Sequence, residues 1–151
     1  MDDSEFVNPD ATALCDELSQ VHVVAVVGLS PNADRPSYRI ARALQSRGFR
    51  IVPVRPLVTE VLGERAYAKL ADVPFPVDLV NVFRSADAVD GIVDDCIATG
   101  ARRLWIQEGI INVSAARRAV AHGIWTVMDR CVWRDLKNLC ADRTPRQEVP
   151  A

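Results

Sequence analysis

Short apolar runs alternate with amphipathic stretches along most of the chain. The first run, VHVVAVVG, is rich in β-branched residues and ends abruptly at Gly28. Runs of this kind are typical of parallel strands that are covered by helices on both faces. Similar runs follow at regular intervals and predict further strands at 50–54, 77–83, 103–107 and 124–128. The pattern therefore predicts about five parallel strands.

Between these strands, apolar residues recur at helical spacing. A short leading helix is predicted over 10–20, with Asp10 as its N-cap. The later helices are expected at 37–47, 86–99 and 114–122, followed by Gly48, Gly100 and Gly123. Glycine can end a helix in the left-handed conformation, which supports these boundaries.

The order of strands and helices predicts a Rossmann-like, doubly wound α/β fold with helices on both faces of the sheet. Residues 56–76 break the pattern, and we expect a loop there with one short helix near 67–71. A single domain accounts for the whole chain, with its core at about 21–139. Residues 1–20 form the leading segment, and the proline-containing, charged stretch 141–151 is expected to be a disordered tail. In such folds ligands bind at the carboxyl ends of the strands.

Composition narrows the class of protein. The chain has 151 residues, of which 49% are hydrophobic, and its formal charge of −2 is too balanced for a typical nucleic-acid-binding protein. No apolar run approaches the roughly 20 residues of a membrane helix. The acidic N-terminus lacks the basic region of an export signal, so we expect a cytoplasmic protein. Four scattered cysteines and two histidines predict reduced thiols and no structural metal.

The loop after the first strand, GLSPNADRPS, has the features of an anion site. A helix is predicted to open near Ser37, and the free N–H groups of a helix N-terminus attract phosphate. Ser30 can donate its hydroxyl and Arg35 a bidentate fork, while Gly28 allows a tight turn. The alternative is an ordinary loop between a strand and a helix.

The second strand ends in VPVRP, where Val54 and Pro56 flank Arg55. The first loop lacks the G-x-G-x-x-G fingerprint, and a basic residue stands where NAD-binding proteins usually carry an acid. Arg55 suits a phosphate on the ribose, which both NADP and coenzyme A possess. A solvated arginine remains the other interpretation.

Two further strand ends carry candidate binding residues. Phe83 and Arg84 offer an aromatic face and a cation, although a phenylalanine here is also typical of a core. The segment WIQEGIIN places Gln107, Glu108 and Gly109 at the same edge. Neither a nucleophile nor a histidine stands opposite Glu108, so we expect a ligand-orienting or structural role rather than catalysis.

The last strand ends in MDRC, which brings a thiol to this edge. Cys131 beside Arg130 is a candidate reactive thiol that could form a mixed disulfide with a ligand thiol. A buried, inert cysteine is the more common outcome.

A family resemblance rests on six segments taken together and in order: VVGLSPNADRPS, RIVPVRP, LGERAYAKLADVP, VDLVNVFR, WIQEGIIN and VMDRC. The chain resembles the small stand-alone CoA-binding proteins, which are similar to the N-terminal nucleotide-binding domain of the succinyl-CoA ligase alpha subunit. The resemblance implies a Rossmann-like domain that binds coenzyme A or an acyl-CoA without the ligase reaction. The ligase residues for phosphoryl transfer lie in other domains.

The resemblance also implies a role for each strand end. By this resemblance, the loop that binds the pyrophosphate corresponds to Gly28, Ser30, Arg35 and Ser37. The residues that border the adenosine correspond to Val54, Arg55 and Pro56, and those that flank the cofactor correspond to Phe83 and Arg84. The segment near the pantetheine arm corresponds to Gln107, Glu108 and Gly109. Family members often have P-V-N-P at the second strand end, so Arg55 replaces an asparagine. An NADP-dependent oxidoreductase or redox-responsive nucleotide binder remains the alternative, and a homo-oligomer remains open.

Overall fold

Strands and helices alternate along the chain in the computed structural model, which describes residues 5–140. The predicted tail 141–151 and the first four residues of the leading segment lie outside that range. Strands 50–54 and 103–107 have the predicted bounds, and a 3-10 turn precedes the helix predicted at 86–99. The elements are α1 (Ala11–Leu18), β1 (Val23–Val27), α2 (Pro36–Ser46), β2 (Arg50–Val54), β3 (Glu60–Val61), β4 (Glu64–Arg65), β5 (Leu79–Val82), α3 (Val89–Thr99), β6 (Arg103–Gln107), α4 (Val113–Ala121), β7 (Trp125–Arg130) and α5 (Val132–Leu139).

The central sheet has five parallel strands, the number that the sequence predicts, and their order is β2-β1-β5-β6-β7. The chain runs outward from β1 to β2 and then crosses back to β5 on the other side of β1. The strand order therefore reverses between β1 and β5, and such a switch point opens a crevice at the carboxyl ends of the strands.

Helices cover both faces of the sheet. On one face α1, α2 and α5 bury residues such as Leu14, Leu44 and Leu136 against the strands. On the other face α3 and α4 bury Val93 and Ala115. The sheet is thus apolar on both sides, which explains why its strands read as continuous apolar runs rather than alternating ones.

The crossover over 56–76 differs from the prediction. It contains a small antiparallel hairpin of β3 and β4, and its 3-10 helix spans Leu70–Asp72 rather than 67–71. Leu62 and Gly63 form the two-residue hairpin turn, and both have positive φ, 56° and 77°. Such turns favour Asn-Gly or Asp-Gly, so a leucine at the first position gave the sequence no hairpin signal.

The C-terminal part holds two features that the sequence did not predict. Helix α5 follows β7 directly after Cys131, and its Cys140 cap forms a disulfide with Cys15 of α1, with their Cα atoms 5.4 Å apart. The expectation of reduced thiols is therefore wrong for this pair. The two cysteines are 125 residues apart, and spacing alone carries no sign of their proximity. Cys96 and Cys131 remain free.

Candidate functional site

A cleft of about 1060 Å³ opens at the carboxyl ends of the parallel strands. Loops that follow β1, β2, β5, β6 and β7 all contribute to its walls, as expected at a topological switch point. The residues around it are Gly28, Ser30, Arg35, Pro36, Ser37, Ile40, Val54, Arg55, Pro56, Phe83, Arg84, Ser85, Gln107, Glu108, Ile110, Cys131 and Arg134.

Eleven of the twelve residues that the sequence singled out border this cleft, and Gly109 does not. The chain turns away from the cleft at Gly109, which has a φ of 87°. Its N–H donates to Asp129 Oδ1 over 2.8 Å. This hydrogen bond ties the loop after β6 to Asp129 in β7, so the amide of Gly109 is used within the protein.

Gly28 is required where β1 meets β5. Its φ is 88°, and a Cβ atom at this position would lie 2.4 Å from the carbonyl oxygen of Phe83. No side chain fits at that distance. The glycine therefore sets how closely the first loop approaches the end of β5.

The loop between β1 and α2 holds two buried hydroxyls beside the cleft. The N–H of Ser30 donates to Ser37 Oγ over 3.0 Å, and the N–H of Asn32 donates to Ser30 Oγ over 3.1 Å. Each serine oxygen thus accepts one backbone hydrogen bond, and within residues 5–140 neither hydroxyl proton has an acceptor. Pro36 opens α2 at this point. The two O–H groups and the positive end of the helix form an environment suited to an anion.

Three arginines from three loops surround the same region. Arg35 and Arg84 are exposed, whereas Arg55 is half-buried. A guanidinium presents several donors in a rigid fork that suits phosphate oxygens. The cleft therefore combines buried neutral donors with exposed and half-buried cations at its rim.

The opposite end of the cleft is built around Gln107, which is only 4% exposed. Its Oε1 accepts from Asn81 Nδ2 over 3.2 Å and from the N–H of Val132 over 3.4 Å. Asn81 Nδ2 also donates to the carbonyl of Trp105. The carbonyl of Trp105 can only accept, which fixes the orientation of the Asn81 amide, and the N–H of Val132 can only donate, which fixes that of the Gln107 amide. Within residues 5–140, Gln107 Nε2 makes no hydrogen bond, so it can donate one to a ligand in the cleft.

An ion pair closes the cleft's outer side. Arg134 donates two hydrogen bonds to the Glu108 carboxylate. The hydrogen bond from Arg134 holds the pKa of Glu108 below its ordinary value, and the charge of Arg130 adds to this effect. Glu108 is consequently an ionised carboxylate paired with Arg134.

A second arginine ties β7 to α5. Arg130 makes a bidentate contact with the buried Asp135, at 2.6 and 2.8 Å. The hydrogen bond to Asp135 raises the pKa of Arg130. This pair fixes the first turn of α5, which supplies Cys131 and Arg134 to the cleft.

Residues that the sequence did not assign to the site also border the cleft. Ser85 and Ile110 lie directly beside predicted residues, and adjacency to a strand end is the signal that could have found them. Arg134 comes from α5, a helix that the sequence left unassigned, so no signal pointed to it. The remaining additions are Pro36 and Ile40. Cys131, which the sequence placed at this edge as a candidate reactive thiol, also borders the cleft.

Two further features, a membrane-spanning helix and a cluster of metal-binding side chains, are absent from residues 5–140. No helix between residues 5 and 140 is long and apolar enough to cross a bilayer. In the same range, no three side chains among His, Cys, Asp and Glu come together as a possible metal site.

Comparison with known proteins identifies the family. Residues 22–137 match the CoA binding domain family. The chain belongs to this family. The matched range runs from β1 into α5, so it includes every loop that borders the cleft of this CoA-binding domain.

Relatives of this CoA-binding domain include both small and large proteins. It is 34% identical over 125 residues to the uncharacterized protein YneT of Bacillus subtilis, covering 83% of this chain and 93% of YneT. It is 30% identical over 79 residues to the ADP-forming acetate–CoA ligase II of Archaeoglobus fulgidus, covering 51% of this chain and 12% of the ligase.

A solved structure has the same fold. A hypothetical protein from Pyrococcus horikoshii superposes with a TM-score of 0.85 at 26% identity, covering 93% of this chain and 99% of that protein. The Rossmann-like architecture of this CoA-binding domain is thus shared over nearly the whole length of both chains.

Proposed function

We propose that the cleft binds coenzyme A or an acyl-CoA and that the chain performs no ligase reaction by itself. The observation that carries the proposal is the pair of buried serine hydroxyls, Ser30 and Ser37, at the start of α2. A hydroxyl can both donate and accept, and within residues 5–140 these two only accept, so both protons are available to donate to a ligand oxygen in the cleft. Membership of the CoA-binding domain family favours CoA as that ligand.

Each part of the ligand has a matching region of the cleft. The pyrophosphate lies against Ser30 and Ser37, where Arg35 adds a cation. The adenosine lies along the loop after β2, whose Arg55 meets the 3′-phosphate. The pantetheine arm then extends towards Gln107, whose free Nε2 donates to a carbonyl of the arm.

A binding role without catalysis is supported by two features. Glu108, the acidic residue at the cleft, is held as an ion pair with Arg134. The relative that is named as a ligase is matched over 12% of its length, so most of that enzyme has no counterpart in the match. We therefore assign the reaction to none of the cleft residues.

Thermal unfolding with a panel of ligands tests this function. CoA, 3′-dephospho-CoA, NADP and NAD are each added in excess over the protein with its Cys15–Cys140 disulfide intact. A ligand at 100 times its dissociation constant stabilises the folded state by about 2.7 kcal/mol. We expect the melting temperature to rise with CoA and, to a smaller extent, with dephospho-CoA. A rise with NADP and none with CoA would replace the proposal with an NADP-linked role.

A further inference from the structure

Cys131 is the free thiol at the cleft. It is the N-cap residue of α5, it borders the cleft with 7% of its surface exposed, and it forms no disulfide. The other free thiol, Cys96, is fully buried in α3, where burial raises its pKa to about 12. The two thiols thus differ in access to any ligand that enters the cleft.

Gln107 supplies an independent sign that a ligand reaches Cys131. Its Oε1 accepts from the N–H of Val132, the residue that follows Cys131. Its Nε2 has no acceptor within residues 5–140, although the side chain is more than nine-tenths buried. A ligand amide or thioester carbonyl satisfies this donor, and the pantetheine arm of CoA carries amide carbonyls close to its thiol. A carbonyl held at Gln107 therefore brings the thiol end of the arm to the first turn of α5.

The protein's own disulfide lies out of reach of Cys131. Cys131 caps the N-terminal end of α5, whereas Cys140 caps its C-terminal end. A helix rises about 1.5 Å per residue, which separates the two positions by roughly 13 Å. Cys131 is consequently free to react with an incoming disulfide while the pair between Cys15 and Cys140 stays intact.

We propose that Cys131 captures CoA as a mixed disulfide by exchange with CoA disulfide, an inference that rests on the proposed function. The Cys131 thiol loses its proton to solvent, and its sulfur attacks one sulfur of the CoA disulfide. A bond forms between Cys131 Sγ and that sulfur while the original S–S bond breaks. The second CoA leaves as a thiolate that takes up a proton. CoA disulfide is the oxidant, so the reaction balances without another reagent.

Intact-mass spectrometry without reductant tests the capture. After incubation with CoA disulfide, we expect the mass to rise by that of one CoA less two hydrogens, and peptide mapping should place the adduct on Cys131. The adduct should be lost in Cys131→Ser and retained in the matched control Cys96→Ala. An adduct that persists in Cys131→Ser, or that maps to Cys15, Cys96 or Cys140, overturns the proposal.

Oxidised glutathione separates a directed reaction from simple thiol exposure. It exchanges by the same chemistry but lacks the adenosine and phosphates that the cleft is proposed to hold. We expect CoA disulfide to modify Cys131 much faster than oxidised glutathione does at equal concentration. Equal rates, or no adduct with CoA disulfide, overturn the proposal.

Binding of the CoA thiol to the wild-type protein with its Cys15–Cys140 disulfide intact, measured by calorimetry without added reductant, keeps this inference apart from the proposed function. Binding of the CoA thiol together with no adduct from CoA disulfide overturns the capture and leaves the function standing. No binding of the CoA thiol overturns the function, and with it the directed capture.

Discussion

The guanidinium of Arg55 donates a hydrogen bond from Nη1 to the main-chain carbonyl of Gly28, 3.2 Å away. This contact joins the ends of β2 and β1 and holds the guanidinium at the cleft. A guanidinium has five N–H groups, so most of them stay available to an anion. Arg55 is therefore oriented by the protein before any ligand arrives.

Replacement of Arg55 should change which ligand phosphate the protein recognises. We expect Arg55→Asn to weaken CoA binding by about 1 to 3 kcal/mol, because it removes a charge-assisted hydrogen bond. Binding of 3′-dephospho-CoA, measured by the same calorimetric titration, should stay nearly constant and serves as the control. An equal loss for both ligands would mean that Arg55 supports the loop rather than reading the 3′-phosphate.

Arg35 is expected to contribute to pyrophosphate binding. Arg35→Ala should weaken CoA binding by about 1 to 3 kcal/mol, since the side chain borders the cleft beside the serine loop. Arg39→Ala is the matched control, because Arg39 lies one turn further along α2, is exposed, and does not border the cleft. Equal affinities of the two variants for CoA, measured by calorimetry, would contradict the assignment.

Much of this site follows from the sequence because it lies at strand ends. An apolar run that stops at Gly28 or Val54 fixes where a strand ends, and parallel strands bring their carboxyl ends to one edge. What the sequence could not provide is information on contacts between distant segments. The disulfide between Cys15 and Cys140 and the position of Arg134 beside Glu108 both depend on α5, whose short apolar pattern gave no prediction.

Gly28 should be the least replaceable glycine tested. In Gly28→Ala the new methyl group would overlap the Phe83 carbonyl, whereas in Gly123→Ala it would meet nothing within 4 Å. Both residues have positive φ, which costs a non-glycine residue about 1 to 2 kcal/mol. Urea unfolding should show a larger loss of stability for Gly28→Ala than for Gly123→Ala. Similar losses would show that the close approach to β5 carries no energetic cost.

The ion pair between Arg134 and Glu108 should affect the titration of Glu108. Removal of the hydrogen bond in Arg134→Gln is expected to raise the pKa of Glu108 towards its ordinary value of 4.5. Since the folded-state pKa is lowered, the pair stabilises the protein above pH 4.5 and the effect disappears as the pH falls through the folded-state pKa. Carboxyl NMR measures the shift, and Lys137→Gln on the same helix should leave it unchanged. A Glu108 pKa that is the same in wild type and Arg134→Gln would contradict the pairing.

Reduction of the disulfide should destabilise the fold. Loss of a native disulfide typically costs about 2 to 5 kcal/mol, and this one closes a loop that spans nearly the whole chain. Urea unfolding with and without reductant should show the difference in wild type and none in the double variant Cys15→Ser, Cys140→Ser. Thiol titration of the denatured, unreduced protein should find two free thiols, and four would contradict the disulfide.

Calorimetric titration of CoA into the protein with its Cys15–Cys140 disulfide intact tests the central claim most directly. The cleft with its buried serine hydroxyls predicts saturable binding at a single site per chain, with NADP binding far more weakly. The absence of saturable heat with CoA, or tighter binding of NADP than of CoA, would contradict the account.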